Sequence, residues 1–202
     1  MTHPADPPSP DRLPPLPRLI WGDLRAKALW CYEAERWPQL LKVLLSDGTM
    51  AMIVYRLMQW SRRRRLVPLE LICNKLNATL SNCIIGRGAE FGPNFVLIHA
   101  TGVVINGSVR GGSNLLIEHQ VTVGAERRLS PVLGDGVFLG AGAKVIGAVT
   151  IGPGARIGAN AVVLHDVPAG ATAVGVPARV VRDPVAAAHA AASDAERGPA
   201  SP

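Results

Sequence analysis

The sequence predicts a mainly β protein, a parallel β-helix preceded by a small α-helical region, and the main reason is a period of six residues. Between residues 85 and 163 an aliphatic or aromatic side chain stands at every sixth position, and only Arg127 breaks the series. A helix repeats about every 3.6 residues and a strand every 2, so neither explains this spacing. Six residues suit one short strand and one corner of a solenoid, in which each coil covers the apolar position of the next. The positions are Ile85, Phe91, Leu97, Val103, Val109, Leu115, Val121, Leu133, Leu139, Val145, Ile151, Ile157 and Val163.

Small residues accompany this series and support the same geometry. A small residue stands two positions before many of the aliphatic ones, where the chain must bend inward without filling the interior of the solenoid. These residues are Cys83, Ala89, Thr101, Gly107, Ser113, Ala143, Ala155 and Ala161. Glycine follows the aliphatic residue at Gly86, Gly92, Gly134, Gly140, Gly152 and Gly158. Glycine suits corners in which two backbones approach closely.

The chain divides into four parts. Residues 1–18 are expected to form a disordered arm, because closely spaced prolines prevent regular pairing. Residues 19–82 are expected to be helical, with Asp23 as the cap of the first helix. Residues 83–181 form the β-helix domain, and residues 182–202 a flexible, alanine-rich tail.

Composition narrows the class of protein. The chain has 202 residues, enough for one solenoid domain, and three cysteines without a C-x-x-C pair, which favours a reduced, cytoplasmic environment over a disulfide framework. The proline-rich start does not resemble a secretory signal. Charged residues interrupt the apolar segment 40–60, so no transmembrane helix is predicted.

The chain is basic, with a formal net charge of +6, and its most basic segment is the arginine run Arg62, Arg63, Arg64 and Arg65. This run ends a predicted helix, where cations offset the helix dipole and are readily solvated. We therefore predict no nucleic-acid partner. A weak contact with an anionic membrane surface, or with the phosphates of a cofactor, stays open as the alternative.

Separated motifs in the solenoid carry a family resemblance. They are His99-Ala100-Thr101-Gly102 within residues 99–105, then residues 121–124, 136–147, 157–163 and 175–179. In this order the motifs resemble the serine acetyltransferase branch of the hexapeptide-repeat acyltransferases, over about residues 83–181. The resemblance implies a left-handed β-helix, a homotrimer, and acetyl-CoA bound in a groove between neighbouring prisms. It implies no metal.

The resemblance assigns the chemistry to His99. Transfer of an acetyl group from a thioester to a hydroxyl needs a base, and imidazole titrates close enough to neutrality to act as one. In the family the histidine of this motif takes the hydroxyl proton and returns it to the thiolate. A lone histidine is more often an ordinary corner residue, but its motif and its place two residues after Leu97 favour the catalytic role.

The cofactor site is also carried over by resemblance. Ala141 and Ala159 match positions whose backbone holds the pantetheine arm, and Gly124 matches a loop glycine near the thioester. Lys144, Arg156 and Arg179 are candidates to bind the CoA phosphates. For Lys144 and Arg156, a solvated charge on a corner of the solenoid is the alternative interpretation.

The acceptor site departs from the family pattern. Two aspartates of the family are replaced by Ile84 and Ile98, and an arginine and a histidine by Leu129 and Ser130. Arg127 or Arg128 is a candidate to replace the missing arginine. His119 occupies an inward position, so a hydrogen-bonded core histidine is one interpretation and a place in the acceptor pocket the other.

These departures decide the expected function. Retained cofactor motifs beside a remodelled acceptor pocket resemble the acetyltransferases of exopolysaccharide and other sugar pathways, so we expect a sugar or exopolysaccharide unit as the hydroxyl acceptor. The alternative enzyme is a serine O-acetyltransferase of cysteine biosynthesis. An inactive β-helix scaffold is the alternative of another class.

Overall fold

The structure is a computed structural model and describes residues 13–182. Four helices come first, namely α1 (Leu16–Tyr32), α2 (Trp37–Leu44), α3 (Thr49–Arg63) and α4 (Val67–Leu80). Short strands follow, which are β1 (Ile84–Ile85), β2 (Glu90–Phe91), β3 (Val96–Leu97), β4 (Val104–Ile105), β5 (Arg110–Gly111), β6 (Leu116–Ile117), β7 (Thr122–Gly124), β8 (Val132–Leu133), β9 (Phe138–Leu139), β10 (Lys144–Ile146), β11 (Thr150–Ile151), β12 (Arg156–Ile157), β13 (Val162–Val163), β14 (Thr172–Val174) and β15 (Arg179–Arg182).

The strands form three parallel sheets, which are the faces of a triangular prism. Face A has the order β1-β4-β7-β10-β13, and face B the order β2-β5-β8-β11. Face C has the order β3-β6-β9-β12-β14, and β15 closes it by pairing antiparallel with β14. Each of the first four coils thus contributes one strand to each face, and the apolar side chains of the coils fill the prism. A solenoid of this kind is stabilised mainly by contacts between successive coils.

The core series contains a shift that its regular period conceals. Each strand buries two side chains that stand two positions apart, and a corner of three residues normally separates one such pair from the next, as residues 118–120 do. The corner after Leu97 has five residues, 98–102. As a result Ile85 pairs with Ile105 and not with Val103, so the predicted register is two residues wrong between residues 103 and 121. The period survives because the first buried position of each of these strands is aliphatic, and the second one is aliphatic or aromatic in the other strands.

Helix α1 begins earlier than predicted. It starts at Leu16 with Pro15 as its N-cap and a proline in its first turn, so residues 16–18 are helical and do not belong to a disordered arm. Proline is well placed there because the first turn needs no backbone N–H. The rest of the arm, residues 1–12, and the tail after Arg182 lie outside the described residues.

The sequence analysis expected Asp23 to cap the first helix, and this prediction is wrong. Asp23 instead connects the helices to the solenoid. It lies buried inside α1, where its carboxylate accepts hydrogen bonds from Arg56 Nε at 2.7 Å and from the backbone N–H of Phe95 at 2.9 Å. Arg56 also donates to the carbonyl oxygens of Phe91 and Gly92. Burial raises the pKa of Asp23, and the hydrogen bonds from Arg56 oppose this shift. The pair fixes α1 and α3 to the first coil.

The arginine run lies at the end of α3, as predicted from its position. Arg62 donates to Glu70 at 3.1 Å, and the guanidinium of Arg64 lies 5.8 Å from the centre of the Trp60 ring. Two of the four cations are therefore engaged within the protein. Among residues 13–182, no helix has both the length and the apolar character needed to cross a bilayer.

Candidate active site

His99 lies on the widened corner between faces C and A. The two additional residues of this corner carry the chain outward, so the imidazole side chain is 54% exposed while neighbouring Ile98 and Ala100 are buried. The corner is held by hydrogen bonds from Gly102 N to Asn82 O and from Gln120 N to Thr101 O. A rigid corner thus presents an exposed imidazole at the position that the sequence analysis identified.

A carboxylate that the sequence analysis missed lies beside this histidine. Asp47, in the connection between α2 and α3, places Oδ2 3.2 Å from His99 Nδ1. The same oxygen accepts a hydrogen bond from Ala100 N at 3.3 Å, and Oδ1 accepts one from Gly48 N at 2.8 Å. A carboxylate at Nδ1 accepts the ring hydrogen there, which leaves the lone pair on Nε2 to act as a base. In the sequence, the Asp-Gly pair between two helical runs indicates a turn, but it does not indicate a contact with His99.

His119 is close to His99 and is not a core residue. The two ring centres are 5.9 Å apart with the planes nearly perpendicular, and the side chain of His119 is 44% exposed. Its Nδ1 lies 3.5 Å from Glu118 Oε2. Among residues 13–182, no three histidine, cysteine, aspartate or glutamate side chains are grouped to hold a metal ion.

Small residues continue from these histidines along one edge of the prism. The backbone N–H of Gly142 bonds His119 O at 2.9 Å, and that of Asn160 bonds Ala141 O at 2.8 Å, so successive corners stack directly. Ala159 is exposed and Ala141 half-buried. An open strip of backbone therefore begins at the histidines, and we call this strip the alanine edge; its members are Ala141, Gly142, Ala159 and Asn160.

Cationic side chains flank the alanine edge on both sides. Lys144 follows it on face A and donates to the carbonyl oxygen of Gln120. Arg156 precedes it on face C and stacks on Phe138, with the guanidinium carbon 4.4 Å from the ring centre. Phe138 in turn contacts Trp30 of α1. Arg179 is exposed on β15, after the last corner. These three cations are the ones expected on the phosphate side of a nucleotide cofactor.

Gly124, Arg127 and Arg128 lie at the other side of face A from the His99 corner. Gly124 ends β7. From Gly124 to Ser130, between the buried residues Val123 and Pro131, the chain runs outside the prism. Both arginines are exposed, have positive φ, and make no hydrogen bond or ion pair with another described residue. Ser130 bonds Asn106 at 3.3 Å. The structure therefore leaves both guanidinium groups available to a ligand but shows no contact between them and His99.

Comparison with known proteins identifies the relatives of this chain. The bacterial transferase hexapeptide family (six repeats) matches residues 130–165. The serine acetyltransferase of Helicobacter pylori (strain J99) is 38% identical over 151 residues, which are 73% of this chain and 86% of that protein. The serine acetyltransferase of Mycobacterium tuberculosis is 38% identical over 149 residues, 71% of this chain and 65% of that protein.

Solved structures agree with these sequences. A serine acetyltransferase in complex with CoA superposes with a TM-score of 0.75 at 31% identity. The superposed region is 82% of this chain and 69% of the chain of that protein. A soybean serine acetyltransferase complexed with serine gives 0.74 at 36% identity, with the same two coverages. The predicted fold class, a left-handed β-helix after a small helical region, is confirmed. Since a relative of 38% identity spans 73% of this chain and 86% of its own length, and the fold agrees, the chain belongs to the serine acetyltransferase family of hexapeptide-repeat acyltransferases.

Proposed function

We propose that the chain is an acetyl-CoA-dependent O-acetyltransferase whose acceptor is the hydroxyl of L-serine. The observation that carries the proposal is the pairing of His99 with Asp47 at the end of the alanine edge. Relatives named serine acetyltransferase, and solved neighbours in complex with CoA and with serine, support donor and acceptor. They favour serine over the sugar acceptor that the sequence analysis preferred.

The proposed reaction uses His99 as a general base. Its Nε2 takes the proton of the acceptor hydroxyl while the oxygen attacks the thioester carbonyl of acetyl-CoA. Collapse of the tetrahedral adduct breaks the carbon–sulfur bond, and the protonated imidazole returns the proton to the departing thiolate. The products are the acetyl ester and free CoA thiol. A positioned general base contributes on the order of 10²- to 10⁴-fold to the rate.

The alanine edge is the proposed path of the cofactor. A pantetheine arm needs close access to backbone N–H and C=O groups, and Ala141 and Ala159 leave that backbone open. Lys144, Arg156 and Arg179 flank the same edge and are proposed to hold the phosphates through charge-assisted hydrogen bonds. We propose that Gly124, at the start of the segment 124–130, lies near the thioester of the bound cofactor.

Arg127 and Arg128 are the proposed clamp for the carboxylate of L-serine. A guanidinium group binds a carboxylate through two parallel hydrogen bonds, and both side chains are exposed without a described protein partner. The acceptor hydroxyl must at the same time reach His99 Nε2, so the proposal requires residues 124–130 to lie near the His99 corner of the same chain or of a neighbouring copy. His119 is proposed to line this pocket, because its ring lies beside that of His99.

A sugar is the second candidate acceptor, and one observation favours it. Leu129 is 58% exposed, and the hydroxyl of Ser130 bonds Asn106, so these two positions offer no charge to an amino acid. A sugar hydroxyl carries no carboxylate and needs no such charge. Comparing L-serine with a panel of sugars at equal concentration separates the two candidates.

A homotrimer is the proposed assembly. Ile84 and Val104 point outward from adjacent strands of face A and are 49% and 40% exposed, and Ile72, Leu76 and Leu80 form an exposed apolar stripe on α4. Covering this surface with further copies would remove a large apolar area from water. Light scattering coupled to size-exclusion chromatography measures the mass; a monomer at micromolar concentration would contradict the proposal.

Release of CoA thiol tests the proposed function. Purified protein with acetyl-CoA should release thiol rapidly with L-serine and slowly without it, and mass spectrometry should identify O-acetylserine as the product. Faster release with a sugar than with L-serine would select the second candidate. No acceptor-dependent release would indicate an inactive scaffold.

A further inference from the structure

A short loop between α2 and α3 is pressed against the solenoid next to the active site. We call residues 45–48 the α2–α3 loop. Gly48 in this loop has a φ of +80°, and a Cβ atom at this position would lie 2.5 Å from the carbonyl oxygen of Leu97. No side chain therefore fits between the loop and the strand that leads to His99.

A buried lysine holds this loop in place. Lys27 in α1 is 1% exposed, and its ammonium group donates to the carbonyl oxygen of Asp47 and, at 2.9 Å, to that of Leu97. One side chain thus joins the first helix, the loop and strand β3. Burial lowers the pKa of Lys27 to about 8, and the electrostatic influence of Cys31 and Asp47 opposes this shift. Burying an ammonium group costs stability, so these two hydrogen bonds compensate only part of that cost.

Hydrogen bonds hold both the backbone and the carboxylate of Asp47. Its backbone is held by Lys27, Oδ1 by the N–H of Gly48, and Oδ2 by the N–H of Ala100. These contacts leave Oδ2 facing His99 Nδ1 at 3.2 Å. A carboxylate so constrained selects both the orientation and the tautomer of an imidazole.

The solenoid itself offers no comparable group at this corner. Ile98 and Ile84 occupy the two positions at which the family resemblance led us to look for a carboxylate. Ile98 is buried beside His99, and Ile84 is half-exposed on face A. An isoleucine cannot accept the hydrogen of Nδ1.

We propose that Asp47 positions the catalytic base His99 and that Lys27 positions Asp47, so that the helical region supplies the carboxylate of this active site. The inference rests on the proposed function, because it assigns positioning residues to that reaction. Asp47 in this role orients the imidazole and does not touch the acetyl group.

The first experiment replaces the carboxylate. In Asp47→Asn, kcat should fall by roughly 10- to 100-fold, because the amide no longer enforces the Nδ1–H tautomer and the pair is partly exposed to solvent. The KM for acetyl-CoA should stay within about threefold. Glu35→Gln, which removes one exposed carboxylate of the helical region, is the matched control and should change none of these quantities.

The second experiment tests the role of Lys27. Lys27→Met should also lower kcat, and the double variant with Asp47→Asn should be little slower than Asp47→Asn alone, because both changes remove the same constraint. Additive losses would show that the two residues act independently and would overturn the assignment of Lys27. If Lys27→Met fails to fold, Lys27→Arg keeps the donors with altered geometry and replaces it in the same cycle.

A spectroscopic readout separates this inference from the proposed function. At a pH where His99 is neutral, the ¹⁵N shifts of its ring should report the Nδ1–H tautomer in the parent and a shift toward Nε2–H in Asp47→Asn. This measurement needs no acceptor, so it holds even if the parent acetylates neither serine nor sugars. The same tautomer in both proteins, a kcat within about threefold of the parent, or a change confined to the KM for the acceptor would overturn the inference. The last outcome would make Asp47 a substrate ligand.

Discussion

Arg56 and Asp23 form a two-pronged ion pair, with Nε to Oδ2 at 2.7 Å and Nη2 to Oδ1 at 3.0 Å, in a position from which solvent is excluded. The pair joins α3 to α1, and both partners also bond the backbone of the first coil. The α2–α3 loop immediately precedes α3 and is bonded to α1 through Lys27. The location of Asp47 beside His99 therefore depends on a buried ion pair at some distance from the reaction.

Removing one partner of this pair should strongly destabilise the protein. In Asp23→Ala the guanidinium of Arg56 stays buried without its counter-charge, and such a loss typically costs about 3 to 5 kcal/mol. The free energy of unfolding, measured by urea titration, should fall by that amount. The control is Glu35→Ala, which removes the exposed partner of Arg25 and should cost less than about 1 kcal/mol. Similar losses in both variants would show that the buried pair is no stronger than a surface one.

His99→Ala should abolish most of the activity while leaving the fold intact. The imidazole is exposed and packs against no core residue, so thermal melting should change little, whereas kcat should fall on the order of 10²- to 10⁴-fold. Binding of CoA, measured by calorimetry, should be retained. His165→Ala, which removes an exposed histidine from another corner, is the matched control. A kcat within a few-fold of the parent would remove His99 from the mechanism.

The alanine edge should tolerate no large side chain if it holds the cofactor. Ala159→Trp projects into solvent in the free protein, so the melting temperature should stay nearly constant while the KM for acetyl-CoA rises at least tenfold, about 1.4 kcal/mol. Ala169→Trp changes an exposed alanine at the corner between faces B and C and should leave the KM unaltered. An equal effect of both substitutions would place the cofactor elsewhere.

The sequence predicted the solenoid well because the prism restricts its interior. Only small and aliphatic side chains fit inside, so the repeat is visible without any knowledge of contacts. The shift at residues 98–102 was hidden because Val103 and Ile105 are both buried and both aliphatic. Asp47 could not be assigned from the sequence, since 52 residues separate it from His99 and their contact depends on how the helices dock.

Lys27 should make the stability of the protein depend on pH. Its pKa is lowered to about 8 in the folded state from 10.5, so between these values the unfolded chain binds more protons and the free energy of unfolding rises with pH. The rise attributable to Lys27 is roughly 3 kcal/mol between pH 8 and 10.5. Urea titrations at both pH values give the rise in the free energy of unfolding for the parent and for Lys27→Met. The difference between the two rises is the contribution of Lys27. Both carbonyl bonds survive the titration, because a neutral amine keeps two hydrogens. A parallel pH dependence in both proteins would contradict the assignment.

Arg127 and Arg128 should matter for the acceptor and not for the donor. Each arginine is exposed and makes no hydrogen bond or ion pair with another described residue, so replacing it with alanine should leave the melting temperature unchanged. If either arginine holds the carboxylate of L-serine, the KM for serine should rise on the order of 10- to 100-fold, because truncating a charge-paired contact costs about 2 kcal/mol or more. The KM for acetyl-CoA should stay constant, and turnover with a sugar should be unaffected. Arg87→Ala removes an exposed arginine from another coil and is the charge-matched control. If neither variant alters the KM for serine, either a different group binds the carboxylate or the natural acceptor has no carboxylate. Comparing the kcat/KM of sugars with that of serine then decides between these two possibilities.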